Sequence, residues 1–112
     1  MQSVFIRGLI MNDLKDLPYV IVRTFSAGVF AGYLESINER EAVLKKARRI
    51  WYWAGAATLS ELAQKGTSKP SECKFPCEVD TIILLEVIEI LFVSPEAKIS
   101  IAEVPVWTEF ND

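Results

Sequence analysis

At 112 residues the chain has room for one domain around one hydrophobic core and too little for two. A net charge of -3 excludes a whole-molecule field that would draw it to nucleic acid or to an anionic membrane, and no apolar run is long enough for a transmembrane helix. No membrane partner is therefore expected, while 51% hydrophobic residues are more than a small monomer needs, which favours a homo-oligomer.

Residues 4–11 are apolar except for Arg7 and Gly8, but they lack the basic flank and small-residue cleavage site of a secretion signal. Met11 offers a second start, so residues 1–18 read as an N-terminal arm or short helix and residues 19–112 as a single β-rich domain. Residues 12–17 are polar enough for a short helix or loop, and Pro18 pushes Leu17 towards an extended conformation.

Residues 19–25 are dense in β-branched and aromatic side chains and end at Ser26-Ala27-Gly28, so they predict a strand and a turn. A second strand over residues 29–37 alternates, with Phe30 and Leu34 marking the expected core face. The charged residues 38–41 predict a second hairpin loop.

A third strand is expected over residues 42–53. One parity holds Leu44, Lys46, Arg48, Ile50 and Tyr52, and the other holds Val43, Lys45, Ala47, Arg49, Trp51 and Trp53, so neither face is wholly apolar. Thr58 and Glu61 then form a T-x-x-E capping box for a short helix, with Leu59, Leu62 and Ala63 on one face and Gly66 as a left-handed stop.

Residues 67–76 predict a loop pinned by Cys73 and Phe75. Residues 79–93 predict strand, and the three-residue spacing of Glu86 and Glu89 calls for a bulge or bend that resets which face is buried. Ser94, Pro95 and Glu96 open a C-terminal helix as N-cap, first residue and favourable charge; Pro105 closes it, and Trp107 anchors the tail. The fold class expected is β-rich α+β: a small, strongly bent antiparallel sheet or barrel with one short capped helix inserted and a short C-terminal helix.

The runs Arg23-Thr24-Phe25-Ser26-Ala27-Gly28-Val29-Phe30-Ala31-Gly32 and Ala47-Arg48-Arg49-Ile50-Trp51-Tyr52-Trp53-Ala54-Gly55-Ala56 carry a resemblance, as do Leu59-Ser60-Glu61-Leu62-Ala63 and Cys73-Lys74-Phe75. They resemble a family of small proteins encoded by phages and prophages, over roughly residues 19–107. The resemblance implies a phage source and a bacterial host, and no established activity. A looser architectural likeness joins Gly32-Tyr33-Leu34, Val43-Leu44 and Ala47 to the G-x-L hairpin of Sm-like barrels, which assemble into rings. The Asp and Asn with which those barrels bind RNA bases have no counterpart here. The sole Ile-Arg-Gly, residues 6–8, lies at the wrong end of the chain.

Chemistry narrows the function further. Histidine is absent, and two cysteines, Cys73 and Cys77, fall short of the roughly four ligands zinc needs, so neither metal nor cofactor is expected. Neither thiol has a recognisable base, Glu86 and Glu89 read as outward strand charges, and the Ser26-Ala27-Gly28 turn matches no phosphate-binding pattern. The chain is therefore not expected to be an enzyme, and its reduced cysteines suit a cytoplasm, here that of the bacterial host.

One group stands apart. Arg48, Arg49, Trp51, Tyr52 and Trp53 combine guanidinium forks with flat apolar faces, which suits a protein hot spot, a nucleotide or plain packing. On strand alternation Arg49, Trp51 and Trp53 share one face and Arg48, Ile50 and Tyr52 the other. The function expected is a phage-encoded, non-catalytic accessory protein, foremost a counter-defence inhibitor that binds a host protein. The alternatives are a small-ligand or nucleic-acid binder, such as a nucleotide-signal sponge or Sm-like ring, and a structural ring or virion component.

Overall fold

Strand-forming and turn-forming residues alternate through the first half of the chain, and the backbone follows them. In the computed structural model, which describes residues 14–109, a 3-10 turn at Leu14–Asp16 leads into β1 (Tyr19–Thr24), β2 (Val29–Asn38) and β3 (Glu41–Arg49). The expected arm or helix over residues 1–18 otherwise lies outside the described residues. Next come α1 (Leu59–Lys65), a loop with a 3-10 turn at Pro70–Glu72, β4 (Val79–Leu84), β5 (Val87–Phe92) and α2 (Pro95–Ala102).

The five strands form one antiparallel sheet in the order β4-β3-β2-β1-β5. β4 and β5 lie on opposite edges, yet only Leu85 and Glu86 connect them. So short a link forces the sheet to curl until its edges meet at one corner. Glu86 turns that corner with a φ of 46°, its carbonyl accepting from Phe25 N–H at 3.0 Å. Beside it, Val87 N–H donates to the Arg40 carbonyl at 2.9 Å. The β-rich α+β class and the bend expected within residues 79–93 are what the structure shows. The barrel alternative is corrected: β4 pairs with β3 and β5 with β1, so the sheet is strongly curled without being closed.

Curling gives the sheet two buried faces. Val20, Val22, Phe30, Ala42, Leu44, Ala47, Leu84 and Val87 pack on one another with no helix among them, which makes theirs the inner face. Ile21, Ala31 and Ile50 point the other way, onto Leu62 and Ala63 of α1, Ile101 of α2 and the loop residues Cys73 and Phe75. The expected single core face of β2 is thus half of the matter, because Ala31 is as deeply buried as Phe30.

The mixed pattern of β3 has a local cause. Lys46 adopts a φ of 51°, and the register moves from Tyr33↔Lys45 to Ala31↔Arg48, so two residues of β3 oppose Gly32. A Cβ on Gly32 would sit 3.0 Å from the Lys45 carbonyl and 3.1 Å from Ala47 Cα, which is why glycine faces the bulge. The extra residue puts Ala42, Leu44 and Ala47 on one face although they span both parities.

Both helices begin as their sequences expect. Thr58 Oγ1 accepts from Glu61 N–H at 3.2 Å and the Glu61 carboxylate accepts from Ala57 N–H, while Ser94 Oγ accepts from Ala97 N–H at 3.0 Å. Gly66 ends α1 with φ 80° and ψ -159°, so its φ is positive but its ψ is extended rather than helical, a region open essentially to glycine alone. A Cβ there would collide with Ser100, so the same glycine lets α2 lie close on α1.

Candidate functional site

The expected strand over residues 42–53 ends at Arg49, and this divides the Arg48 to Trp53 group. Ile50 N–H still bonds to Val29 O at 2.8 Å, but the backbone then leaves the sheet. Trp51 and Tyr52 N–H both point to Lys74 O, at 3.0 and 3.3 Å, and Lys74 N–H returns to Tyr52 O at 2.8 Å. The face-sharing expected of an unbroken strand is corrected accordingly.

Arg48 is buried beneath the helices, its ring of neighbours made of carbonyls. Nη1 donates to Ile101 O at 3.1 Å and Val104 O at 3.0 Å, and Nη2 to Phe75 O at 2.9 Å. Two longer contacts, from Nε to Pro76 O at 3.5 Å and from Nη2 to Pro105 O at 3.4 Å, occupy its remaining N–H groups. The guanidinium thus ties the end of α2 and the chain around Phe75 to the sheet. Burial draws its pKa below the usual arginine value, with Tyr19 and Glu78 opposing that shift.

Arg49 lies on the inner face, half-buried, with its guanidinium carbon 4.4 Å from the Phe30 ring centre. Its Nη1 donates to Ala27 O at 2.7 Å, which clasps the turn between β1 and β2. Trp53 is also half-buried, packs against the helical core and donates from Nε1 to Ala56 O at 3.1 Å.

Trp51 and Tyr52 differ from these three. They are 64% and 53% exposed, consecutive residues on backbone fixed to Lys74. Tyr52 lines a groove of about 310 Å³ with Lys74, Pro105, Val106 and Trp107. Lys74 Nζ lies 5.4 Å from the centre of the Trp107 ring, and the buried Trp107 Nε1 has no hydrogen-bond partner. The structure therefore gathers Tyr52 with Lys74 and Trp107, leaves Trp51 exposed next to Tyr52 in the chain, and engages Arg48, Arg49 and Trp53 within the fold.

Cys73 also lines this groove, but its surroundings suit it poorly for chemistry. Cys73 is buried with its Sγ among the Ala54 and Lys69 carbonyls and Thr67 Oγ1, so its neighbours accept a proton no better than a peptide or hydroxyl does. Cys77 is exposed. Glu86 accepts from Ser26 Oγ at 3.0 Å and Glu89 pairs with Arg23 at 3.0 Å, which gives both carboxylates structural work. Among the described residues no group of three or more Cys, Asp or Glu could hold a metal ion.

The model of a domain of unknown function, DUF6948, matches residues 17–101. The chain belongs to that family. The matched domain contains all five strands, α1 and the whole Arg48 to Trp53 segment, so the anchor and the exposed aromatics alike are parts of it. No curated protein and no solved structure matches the chain. No helix among the described residues is long and apolar enough to cross a membrane.

Sequence reasoning missed a second cavity, a cleft of about 270 Å³ lined by Tyr19, Tyr33, Lys46, Arg48, Glu78 and Lys98, with Ala102, Val104 and Val106 beside them. The tyrosine rings meet edge to face, 5.0 Å between centres, and Lys98 Nζ lies 4.6 Å from the centre of one and 5.7 Å from that of the other. The Tyr19 and Tyr33 pairing was legible: a hairpin closing Arg23 on Val29 also places Tyr19 opposite Tyr33. Nothing local in the sequence brings Lys98 to them.

Proposed function

We propose that the chain is a non-catalytic accessory protein that binds a partner protein on the shelf made by Trp51 and Tyr52. The observation that carries this reading is their exposure on a backbone held by three hydrogen bonds to Lys74. Large aromatics already fixed in place contribute contact area at little entropic cost, as hot-spot residues do. The finer form of the reading, an inhibitor by which a phage disables a bacterial defence protein, rests on the sequence resemblance alone.

Charge placement weighs against the nucleotide-signal sponge at this shelf. A phosphate is best held by several donors near the stacking faces, whereas Arg48 spends its N–H groups on carbonyls and Arg49 is engaged with Ala27 and Phe30, which leaves the groove Lys74 alone as a cation, with Glu72 in the same lining to offset it. Ring assembly has separate support: Ile83 on β4 and Ile88 and Phe92 on β5 are exposed large apolar residues on the two edge strands. Light scattering at high micromolar concentration is expected to give a homo-oligomer, and a clean monomer mass removes that part of the proposal.

Affinity capture from a bacterial lysate tests the shelf, with bound proteins and small molecules both analysed. The wild-type chain is expected to retain one protein that a Trp51→Ala, Tyr52→Ala double variant of equal melting temperature loses. Equal recovery by both proteins removes the shelf, and recovery of a nucleotide in place of a protein supports the rival.

A further inference from the structure

The cleft between α2 and the sheet is chemically unlike the rest of this acidic chain. Its lining holds three cationic side chains, Lys46, Arg48 and Lys98, against one carboxylate, Glu78, while the chain as a whole has a net charge of -3. Lys46 is neutralised by Asp80 at 2.8 Å. Arg48 and Lys98 have no salt-bridge partner among the described residues, whose ion pairs are Arg23 with Glu89 and Lys46 with Asp80.

These two cations contribute differently. Arg48 has committed its N–H groups to carbonyls, so it offers the cleft a fixed positive field and no donors. Lys98 is held over the Tyr33 ring by cation–π attraction, with an ammonium whose donors remain for a ligand. Ala102, one turn beyond Lys98 on α2, forms an apolar wall with Val104 and Val106.

We propose that this cleft binds a small carboxylate with an apolar ring or short-chain body, the carboxylate on Lys98 in the field of Arg48 and the body between the tyrosines and the apolar wall. A volume of about 270 Å³ lies just under the range typical of drug-sized ligands, which sets the scale of the molecule. Glu78 in the lining opposes a second negative charge and so favours a carboxylate over a phosphate dianion. The tyrosine beside the anion does not compete with it: burial pushes the Tyr19 pKa up to about 12, which leaves a neutral phenol at ordinary pH.

The cleft shares only Val106 with the lining of the groove beside Tyr52, and none of the residues changed in the tests below belongs to both, so either can fail alone. Titration of the full chain with benzoate, followed by amide chemical shifts, is expected to move the signals of Tyr19, Tyr33, Lys98 and Ala102 and to saturate on the order of 1 mM, a fragment's affinity. Acetate, which lacks the body, and phenyl phosphate, which carries the extra charge, are expected to bind at least tenfold more weakly. Lys98→Met keeps a good helix former on α2, and Ala102→Glu adds a negative charge at an exposed position of the lining. Both are expected to weaken benzoate at least tenfold with unchanged melting temperatures. Shifts that fail to saturate, acetate or phenyl phosphate binding as tightly as benzoate, or full binding by the two folded variants would each overturn the proposal.

Discussion

Arg48 and Trp51 stand three residues apart in opposite surroundings. Arg48 is 8% exposed and reaches carbonyls of Phe75, Ile101 and Val104, which belong to two segments distant in sequence. Trp51 is 64% exposed, and its backbone rather than its side chain is what the fold holds. The charged residue is interior and the aromatic one exterior, the reverse of what their polarity suggests. The contrast teaches that a binding surface is better sought among side chains whose absence the fold would not notice.

The largest effect that separates the two is on stability. Arg48→Met removes a hub of charge-assisted hydrogen bonds and leaves buried carbonyls without donors, so a loss of roughly 3 to 4 kcal/mol is expected in urea denaturation. Arg48→Lys is expected to recover little of this, since one ammonium cannot span a planar fork of carbonyls. A loss under about 1 kcal/mol would break the comparison, because Arg48 would then be as dispensable to the fold as an exposed residue.

Tyr19 sharpens the same side of the comparison through pH. Its folded pKa, raised to about 12 from 10.0, is set first by burial, with Arg48 pulling it down and Tyr33 and Glu78 adding to the rise. A raised folded pKa means stability that is whole below pH 10 and is lost as pH climbs towards 12, because the unfolded chain ionises first. The loss attributable to Tyr19 is on the order of 2 kcal/mol. Stability measured from pH 9 to 12 is expected to fall less steeply in Tyr19→Phe than in the wild type, and parallel curves would place the ring in water.

How far such environments can be read from sequence depends on the range of the contacts that make them. The helix starts at Thr58 and Ser94 and the turn at Ser26-Ala27-Gly28 are local arrangements, and the residues that make them are adjacent in the chain. Residues 79–93 showed their bend in the spacing of Glu86 and Glu89, though not that β4 and β5 would part to opposite edges. The bulge at Lys46 was hidden because it answers to Gly32 on the neighbouring strand. The surroundings of Arg48 were hidden for the same reason: the carbonyls that receive it lie 27 to 56 residues away.

Arg49 falls between the extremes. It is half-buried, stacked on Phe30 and bonded to the Ala27 carbonyl, so Arg49→Ala is expected to cost about 1 kcal/mol of stability. From the sequence, Arg49 was a candidate for a protein hot spot, a nucleotide contact or plain packing. A thermal melt distinguishes packing from binding, because a drop without loss of partner assigns Arg49 to the turn, whereas loss of partner without a drop returns it to the surface.

The smallest effect on stability, and the most informative about function, is expected on the shelf itself. Trp51 buries little of its ring, and the hydrogen bonds at this position are made by its backbone, which alanine retains. Trp51→Ala should therefore change stability by no more than about 0.5 kcal/mol, as surface substitutions generally do. Its effect on a partner is expected to be larger, about 2 kcal/mol of binding, because an exposed indole covered by an interface loses its whole contact when truncated. Tyr52→Ala is expected to act in the same direction and less strongly, since its ring partly lines the groove beside Lys74 and Trp107. Measuring melting temperature and partner affinity on the same preparations decides the matter. If Trp51→Ala unfolds the chain, the residue belongs with Arg48 in the framework; if it alters neither quantity, the partner seats elsewhere.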